Sequence, residues 1–345
     1  MLLKSTPNDF IVEEINDLHL HETGSYSYYK LKKTNLETQS ALQKIADIWK
    51  INPKYINIAG NKDKIAITTQ FLSISKGPEK DIKTENCELI FLGKKNDRLS
   101  LGTLDGNKFA ITVREITSDE RYNFIKNIQQ KSDVIFQFVN YYDDQRFGIE
   151  KNNHILGKLL VKKQFKEAAA MVCQREHYPY TEAKKWQEKY PNDAIGILRT
   201  LPKKLLLMFV YSYQSWLWNE TAKRYVAKND VYSTANYNLG ELFFPTNKEE
   251  NKQVPLIGFD MEHEDKKVQE IIVEIMREEN ISERDFLIKQ MPEITASGGK
   301  RMLLSNCTDF TYKELDAETM EFRFTLGKGS YATMVIKRLF AEHKT

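Results

Sequence analysis

Ala59-Gly60-Asn61-Lys62-Asp63-Lys64-Ile65-Ala66-Ile67-Thr68-Thr69-Gln70 is the stretch on which the reading of this 345-residue chain turns. Its first half is a loop by composition, since Gly, Asn and Asp favour turns. From Ile65 to Ile74 apolar and polar residues alternate, which predicts a strand. Ile56, Ile58 and Ala59 lead in, so the loop joins two elements with apolar faces. On composition alone, Gly60 to Lys64 would be an ordinary solvated turn. Asp63 stands out because lysines flank it on both sides, and nearby cations favour the ionised carboxylate and lower its pKa. Loops between rigid elements often present catalytic groups, and an ionised carboxylate there can act as a covalent nucleophile.

Working outward, the first 115 residues are strand-rich. Phe10–Ile15, Ser25–Leu31, Glu88–Leu92 and Lys108–Arg114 are short runs with β propensity. Between them Thr38 makes an N-cap for a helix carrying Leu42, Ile45 and Ile48-Trp49 on its apolar face. The middle is helical: Leu156–Cys173 and Leu205–Val226 carry apolar residues every three or four positions, and Glu264–Glu279 is a charged amphipathic helix. Asn247–Asn251 is a polar loop. Phe322, Phe324 and Leu326 mark a late strand, Lys328-Gly329-Ser330 a turn, and Ala332–Glu342 a closing helix. There is no internal repeat and no low-complexity tract. An ending of strand plus helix can return to complete the first domain.

Composition excludes several classes. Hydrophobic residues at 41% and charged residues at 29% are ordinary for a globular chain. Its length fits two domains, or one with a large insert. Cys87, Cys173 and Cys307 lie far apart and form no CxxC pair, which argues against zinc ribbons and for reduced thiols. No run approaches the roughly 20 apolar residues that span a bilayer, and Met1 to Pro7 is unlike a signal peptide. A cytoplasmic location without membrane association is expected. No GxGxxG opens a helix; Ser297-Gly298-Gly299-Lys300 and Gly327-Lys328-Gly329 fail the phosphate-loop patterns; the histidines lack metal-ligand spacing; no GxSxG appears. No metal and no cofactor are expected.

Charge is uneven although the net value is only +3. Lys30 to Lys64 holds eight lysines against three acids, whereas Asn247 to Glu293 holds thirteen acids against seven basic residues. That asymmetry suits a polyanion on the first region, with Lys30, Lys32, Lys33, Lys62 and Lys64 as candidate phosphate contacts. Asn140-Tyr141-Tyr142-Asp143-Asp144-Gln145-Arg146-Phe147-Gly148 mixes rings, amides and a guanidinium. Rings can stack on a base, amides can pair with its edge, and Arg146 can hold phosphate. A β-to-loop junction with core aromatics would have the same composition. Leu326 to Thr333, with two glycines, Lys328 and Ser330 before a helix, is either an anion-binding turn or a plain strand-to-helix turn.

Taken in order, these segments resemble the TruD family of tRNA pseudouridine synthases, and the resemblance spans most of the chain. Asp9-Phe10-Ile11-Val12-Glu13-Glu14 resembles the family's DFxVxE opening. Ala59 to Gln70 resembles AGxKDKxAxTxQ, and Leu104 to Phe109 resembles LxGNxF. Asn140 to Gly148 resembles NYFGxQRFG, Tyr213 to Glu220 resembles xxSxLFNx, and Leu326 to Thr333 resembles LPxGSYAT. The second and fourth motifs are long and specific. Two departures stand out: Tyr142-Asp143-Asp144 replaces Phe-Gly-x, and Gly327, followed by Lys328, stands where the family commonly has Pro.

The resemblance implies an α+β fold: a pseudouridine synthase catalytic domain with a mixed, largely antiparallel sheet, plus an inserted family-specific α/β domain. The expected division is 1–160 and 306–345 for the catalytic domain and 161–305 for the insert. It implies that Asp63 is the catalytic aspartate and that Lys4, just upstream of the first motif, is the active-site lysine partnering it. It further implies that Phe10, Asn140 and Tyr331 contact the substrate uridine or its surroundings and that Tyr142 stacks on the target base. The expected activity is isomerisation of uridine to pseudouridine, at uridine-13 in the D-arm of tRNA. The expected partner is tRNA, with no nucleotide cofactor and no obligate protein partner. A non-catalytic RNA-binding or tRNA-folding protein is the alternative; an RNA methyltransferase would need a glycine-rich cofactor loop.

Overall fold

In the computed structural model, residues 1–129, 136–229, 231–247, 250–262 and 265–343 are described. They divide into two compact units. The first comprises Met1–Gln137 and Ser305–Ala332, the second Phe138–Leu304 and Thr333–Thr345.

The first unit is built on a sheet whose strands run in the order Ile82–Thr84, Cys87–Lys95, Tyr26–Thr34, Ile67–Ser75, Phe10–Ile15, Gly106–Arg114, Met320–Gly327, Leu304–Glu314, Phe136–Val139. Leu2–Leu3 joins Gly106–Arg114, and Ile56–Ile58 joins Ile67–Ser75. Phe10–Ile15 and Ile67–Ser75 pair in parallel, with Ile11 opposite Ile67, while their other described pairings are antiparallel. The sheet is therefore mixed and largely antiparallel, as expected. Met320–Gly327 does return beside Gly106–Arg114, with Phe324 opposite Phe109. Gly106, the glycine of the third motif, sits where a Cβ would collide with the Leu326 carbonyl.

The helix Thr38–Trp49 packs Leu42 and Ile45 onto Tyr29, Leu31, Leu72 and Leu89. Trp49 joins at the edge, its ring 5.3 Å from that of Tyr29, but Ile48 is exposed. Thr38 is not the N-cap. Glu37 holds that position without a side-chain cap bond, and the Thr38 hydroxyl is engaged elsewhere. On the helix Ser118–Gln129, Phe124 packs edge-on against Phe322, with ring centroids 5.5 Å apart.

The second unit is mainly helical around Lys203–Asn229, a 27-residue helix burying Phe209, Tyr213, Leu217, Trp218 and Val226. The predicted run Leu156–Cys173 is two helices, Asn153–Val161 and Phe165–Cys173, broken at Lys163 with φ 58°. Gly157 permits the first of these to approach the long helix, because a Cβ there would strike the Phe209 carbonyl. The acidic helix is Lys266–Glu279, capped by Asp265, whose carboxylate accepts from the backbone of Lys267 and Val268; the expected first residue, Glu264, lies outside the described residues, as do Lys248 and Glu249 of the expected loop. The closing helix spans Ala332–Leu339, shorter than expected, because Glu342–His343 pairs as a strand with Tyr232–Tyr237. The unit boundaries fall at 137/138 and 304/305. The expected boundary at 160 lies inside a helix, and from Thr333 onward the closing helix goes with the second unit. Among the described residues, no helix is long and apolar enough to cross a membrane.

Candidate active site

Of the expected site residues, Lys4, Phe10, Asp63 and Tyr331 belong to the first unit and Asn140, Tyr142 and Arg146 to the second.

In the first unit the chain from Ala59 to Ala66 is irregular but tightly held, and the strand that follows begins at Ile67 rather than at the expected Ile65. The Thr38 hydroxyl accepts from the Lys62 N–H at 3.0 Å and donates to the Lys62 carbonyl at 3.2 Å. Gln70 Nε2 donates to the Gly60 carbonyl at 3.1 Å. Lys33 Nζ donates to the carbonyls of Asp63 and Leu36, both at 2.7 Å, and of Lys62 at 3.4 Å. With its backbone so engaged, Asp63 directs Oδ2 to Lys4 Nζ, 2.7 Å away, in a pair only partly shielded from solvent.

Lys4 is fixed from the other side. Its φ of 59° is left-handed, uncommon for a residue with a long side chain and a form of strain that clusters at functional sites. A short 3-10 turn, Pro7–Asp9, follows it, closed by reciprocal bonds between Thr6 and Asp9. Asp9 is buried and takes two hydrogen bonds from Arg114, at 3.0 and 2.8 Å. Burial pushes its carboxyl up, but the bonds from Arg114 and Thr6 outweigh that and hold its pKa low. The Asp9 of the opening motif is thus an anchor. Phe10 is buried at 3% exposure, and the Lys4 ammonium lies 4.0 Å above its ring, a cation–π contact.

Tyr331 is half-buried just before the closing helix. The preceding turn reaches back toward the Asp63 loop, as Lys328 Nζ donates to the Gly102 carbonyl at 3.2 Å while the Gly102 N–H donates to the Ala59 carbonyl at 2.8 Å. Ser330 and Ser305 share a 2.6 Å hydroxyl–hydroxyl bond that pins the turn.

The expected phosphate contacts do not all qualify. Lys33 is 1% exposed and its ammonium is committed to carbonyls, so it is not a phosphate contact. The Lys62 side chain is nearly buried, with Nζ 3.0 Å from Glu14 Oε2 in an ion pair rather than an aligned hydrogen bond. Glu14 is fully enclosed, and burial raises its pKa despite Lys62. Lys32 and Lys64 are exposed; Lys30 is half-exposed and pairs with Glu13 at 3.2 Å.

In the second unit Asn140 is held by a residue the sequence did not single out. Arg301 donates to its backbone carbonyl at 2.8 Å and to Oδ1 at 2.7 Å. That fixes the amide with its NH2 turned away from Arg301. The same guanidinium lies 4.2 Å from the Tyr142 ring centroid. Asn219 clamps the Tyr142 backbone, accepting from its N–H at 2.9 Å and donating to its carbonyl at 2.8 Å. Trp218 meets the Tyr142 ring edge-on at 5.8 Å. Arg146 donates Nε to Ser215 Oγ at 2.9 Å, and its terminal nitrogens have no hydrogen bond among the described residues. The motif Tyr213 to Glu220 therefore supports Asn140 to Gly148 through Ser215, Trp218 and Asn219.

Beside the departure at Gly327, Lys328 supplies the link to Gly102 just described. The other departure has a structural reason. Asp143 and Asp144 converge on the buried Lys337, at 2.7 and 2.9 Å, and Thr333 also donates to Asp143. The acids in place of glycine carry their own countercharge from the closing helix.

Comparison with known proteins identifies the family. The family model of tRNA pseudouridine synthase D (TruD) matches residues 1–190 and 246–339. The tRNA pseudouridine synthase D of Aquifex aeolicus is 28% identical over 98% of this chain and 97% of its own. A Methanocaldococcus jannaschii protein named probable tRNA pseudouridine synthase D 2 is 30% identical over 100% of this chain and 93% of its own. A crystal structure from Methanosarcina mazei, of a candidate tRNA pseudouridine synthase D, superposes with a TM-score of 0.70 at 25% identity, covering 98% of this chain and 93% of that one. The chain is an α+β pseudouridine synthase, an isomerase. Within that class it belongs to the TruD family of tRNA pseudouridine synthases.

Proposed function

We propose that this enzyme isomerises uridine-13 in the D-arm of tRNA, in the cytoplasm, with Asp63 as the nucleophile. The observation that carries this reading is the Lys4–Asp63 pair at 2.7 Å, set on a loop whose backbone is immobilised by Lys33, Thr38 and Gln70.

The reaction breaks the uracil N1–C1′ bond, turns the base, joins C5 to C1′, loses the proton from C5 and gains one at N1. Substrate and product are isomers. The target uridine leaves its stack to be reached, at a cost of a few kcal/mol that pocket contacts repay. Asp63 attacks at the junction of sugar and base. Lys4 keeps the carboxylate ionised and aimed, while the Phe10 ring beneath confines the ammonium. Tyr142 stacks on the base, and Asn140, its amide oriented by Arg301, donates to a uracil oxygen. Tyr331 borders the uridine, and Lys30, Lys32, Lys64 and Arg146 contact phosphates, so binding weakens steeply with salt.

Asp63→Asn tests the assignment. The variant is expected to bind tRNA with unchanged affinity and to release no tritium from C5-labelled uridine, a loss of at least about 10³-fold. Normal turnover would refute Asp63 as the nucleophile. A wild-type protein that binds tRNA yet releases no tritium would instead be a non-catalytic tRNA-folding protein. Sequencing pseudouridine sites in total RNA with and without the protein identifies the target position.

A further inference from the structure

Lys33 lies on the inward face of the strand Tyr26–Thr34, following Tyr29 and Leu31, which are completely buried. An ammonium taken from water is costly unless each of its three N–H donors finds an acceptor. Here three carbonyls converge on it, from Leu36, Lys62 and Asp63. Two of them belong to the consecutive loop residues Lys62 and Asp63, and the third to Leu36, in the connection between the strand that carries Lys33 and the helix Thr38–Trp49. The loop is braced at neighbouring points by Thr38 on Lys62 and Gln70 on Gly60.

We propose that Lys33 is a positioning residue for the uridine isomerisation: its buried ammonium gathers the carbonyls of Leu36, Lys62 and Asp63, so that the Asp63 carboxylate is presented outward to Lys4 and the uridine. This rests on Asp63 being the nucleophile. The charge is essential to the arrangement. A neutral amine has two N–H groups and a lone pair, so one of the three carbonyls would face electron density instead of a donor, and the loop would shift. Burial pulls the Lys33 pKa down to about 8; Asp63, Cys87 and Glu37 oppose that pull and Lys62 adds to it. Turnover should therefore fall as pH rises through about 8.

The experiment measures single-turnover rate, tRNA affinity and their pH and salt dependence for wild type, Lys33→Met, Thr38→Val and Asp63→Asn. Lys33→Met is expected to lose about a hundredfold in rate, the cost of misplacing a reacting group by about 1 Å. Its tRNA affinity should stay within about threefold, and the slope of log Kd against log salt should not change, whereas a lost phosphate contact lowers that slope by about 0.9. The alkaline fall in rate should be present in wild type and Thr38→Val and absent in Lys33→Met, a result that general destabilisation would not give. A folded Lys33→Met with wild-type rate overturns the proposal, and so does a reduced salt slope. If Lys33→Met does not fold, Thr38→Val decides: it should lose about tenfold in rate at unchanged affinity, and an unaltered rate or a wild-type profile flat through pH 9 overturns the proposal. Asp63→Asn separates the two readings. If it keeps activity, the nucleophile assignment fails; if it is inactive while Lys33→Met is normal, only the role of Lys33 fails.

Discussion

The Asp63 loop and the Asn140–Gly148 segment look alike in sequence, as polar stretches leaving an apolar run, yet they are held in opposite ways. The first is braced by near neighbours. Gln70 lies ten positions from its carbonyl partner Gly60, Thr38 lies twenty-four from Lys62, and Lys33 lies thirty from Asp63. The second is braced from afar. Asn219 is 77 positions from Tyr142, Arg301 is 161 from Asn140, and Lys337 is 194 from Asp143. The first loop also fastens its backbone and leaves the functional carboxylate facing another side chain, whereas the second is fastened largely through side-chain carboxylates and amides. A short-range brace forms with its own hairpin and helix. A long-range brace exists only once the second unit has assembled, so its residues should answer more strongly to distant substitutions.

The largest effect expected from that difference is on stability. Lys337→Met leaves Asp143 and Asp144 facing one another without their shared cation, inside a region where Asp143 is 6% exposed. Removing one partner of such a pair should cost about 3 kcal/mol, read as a lower unfolding midpoint. Adding Asp143→Gly, which restores the family's glycine, should recover more than half of the loss in a double-mutant cycle. If the two changes are simply additive, the acids are not braced by Lys337 and the contrast between the regions fails.

Next in size is Arg301→Ala. It removes both donors from Asn140 and the cation beside Tyr142. Charged donors of this kind are worth about 2 kcal/mol, or roughly a thirtyfold loss in kcat/KM. Arg301→Lys should recover little, because a single ammonium cannot serve both oxygens of Asn140 and also lie flat against a ring. A rescue by lysine would mean that only charge matters there.

How much of this was legible in the sequence follows the same division. The strands of the first unit carry their own alternation, and Phe10–Ile15 was read to its exact ends because both faces are marked residue by residue. Lys33 joins the candidate phosphate contacts on charge alone, whereas its period-two neighbours Tyr29 and Leu31 place it on the inward face. Thr38 was placed at the helix start for its hydroxyl, and the hydroxyl does cap backbone, but that of the Asp63 loop. Arg301 left no signal. It sits on the short strand Gly299–Met302 behind two glycines, and only tertiary folding brings it to Asn140. Asp143 and Asp144 read as extra charge because their partner stands on the last helix.

The smallest expected effect belongs to Tyr142→Phe, and it bears on what the second segment is for. Tyr142 is gripped at its backbone and its ring: Asn219 holds the N–H and carbonyl, Arg301 and Arg146 lie over the ring, and Trp218 meets its edge. Phenylalanine keeps all of these, and cation–π attraction differs little between the two rings. Single-turnover rate and tRNA affinity should each change by less than about twofold, whereas Tyr142→Ala removes the surface on which the base stacks and should cost about 1–3 kcal/mol. A large loss from Tyr142→Phe alone would assign the hydroxyl a direct part in recognising the uridine, and the long-range brace would then be holding a hydrogen-bonding group rather than a stacking platform.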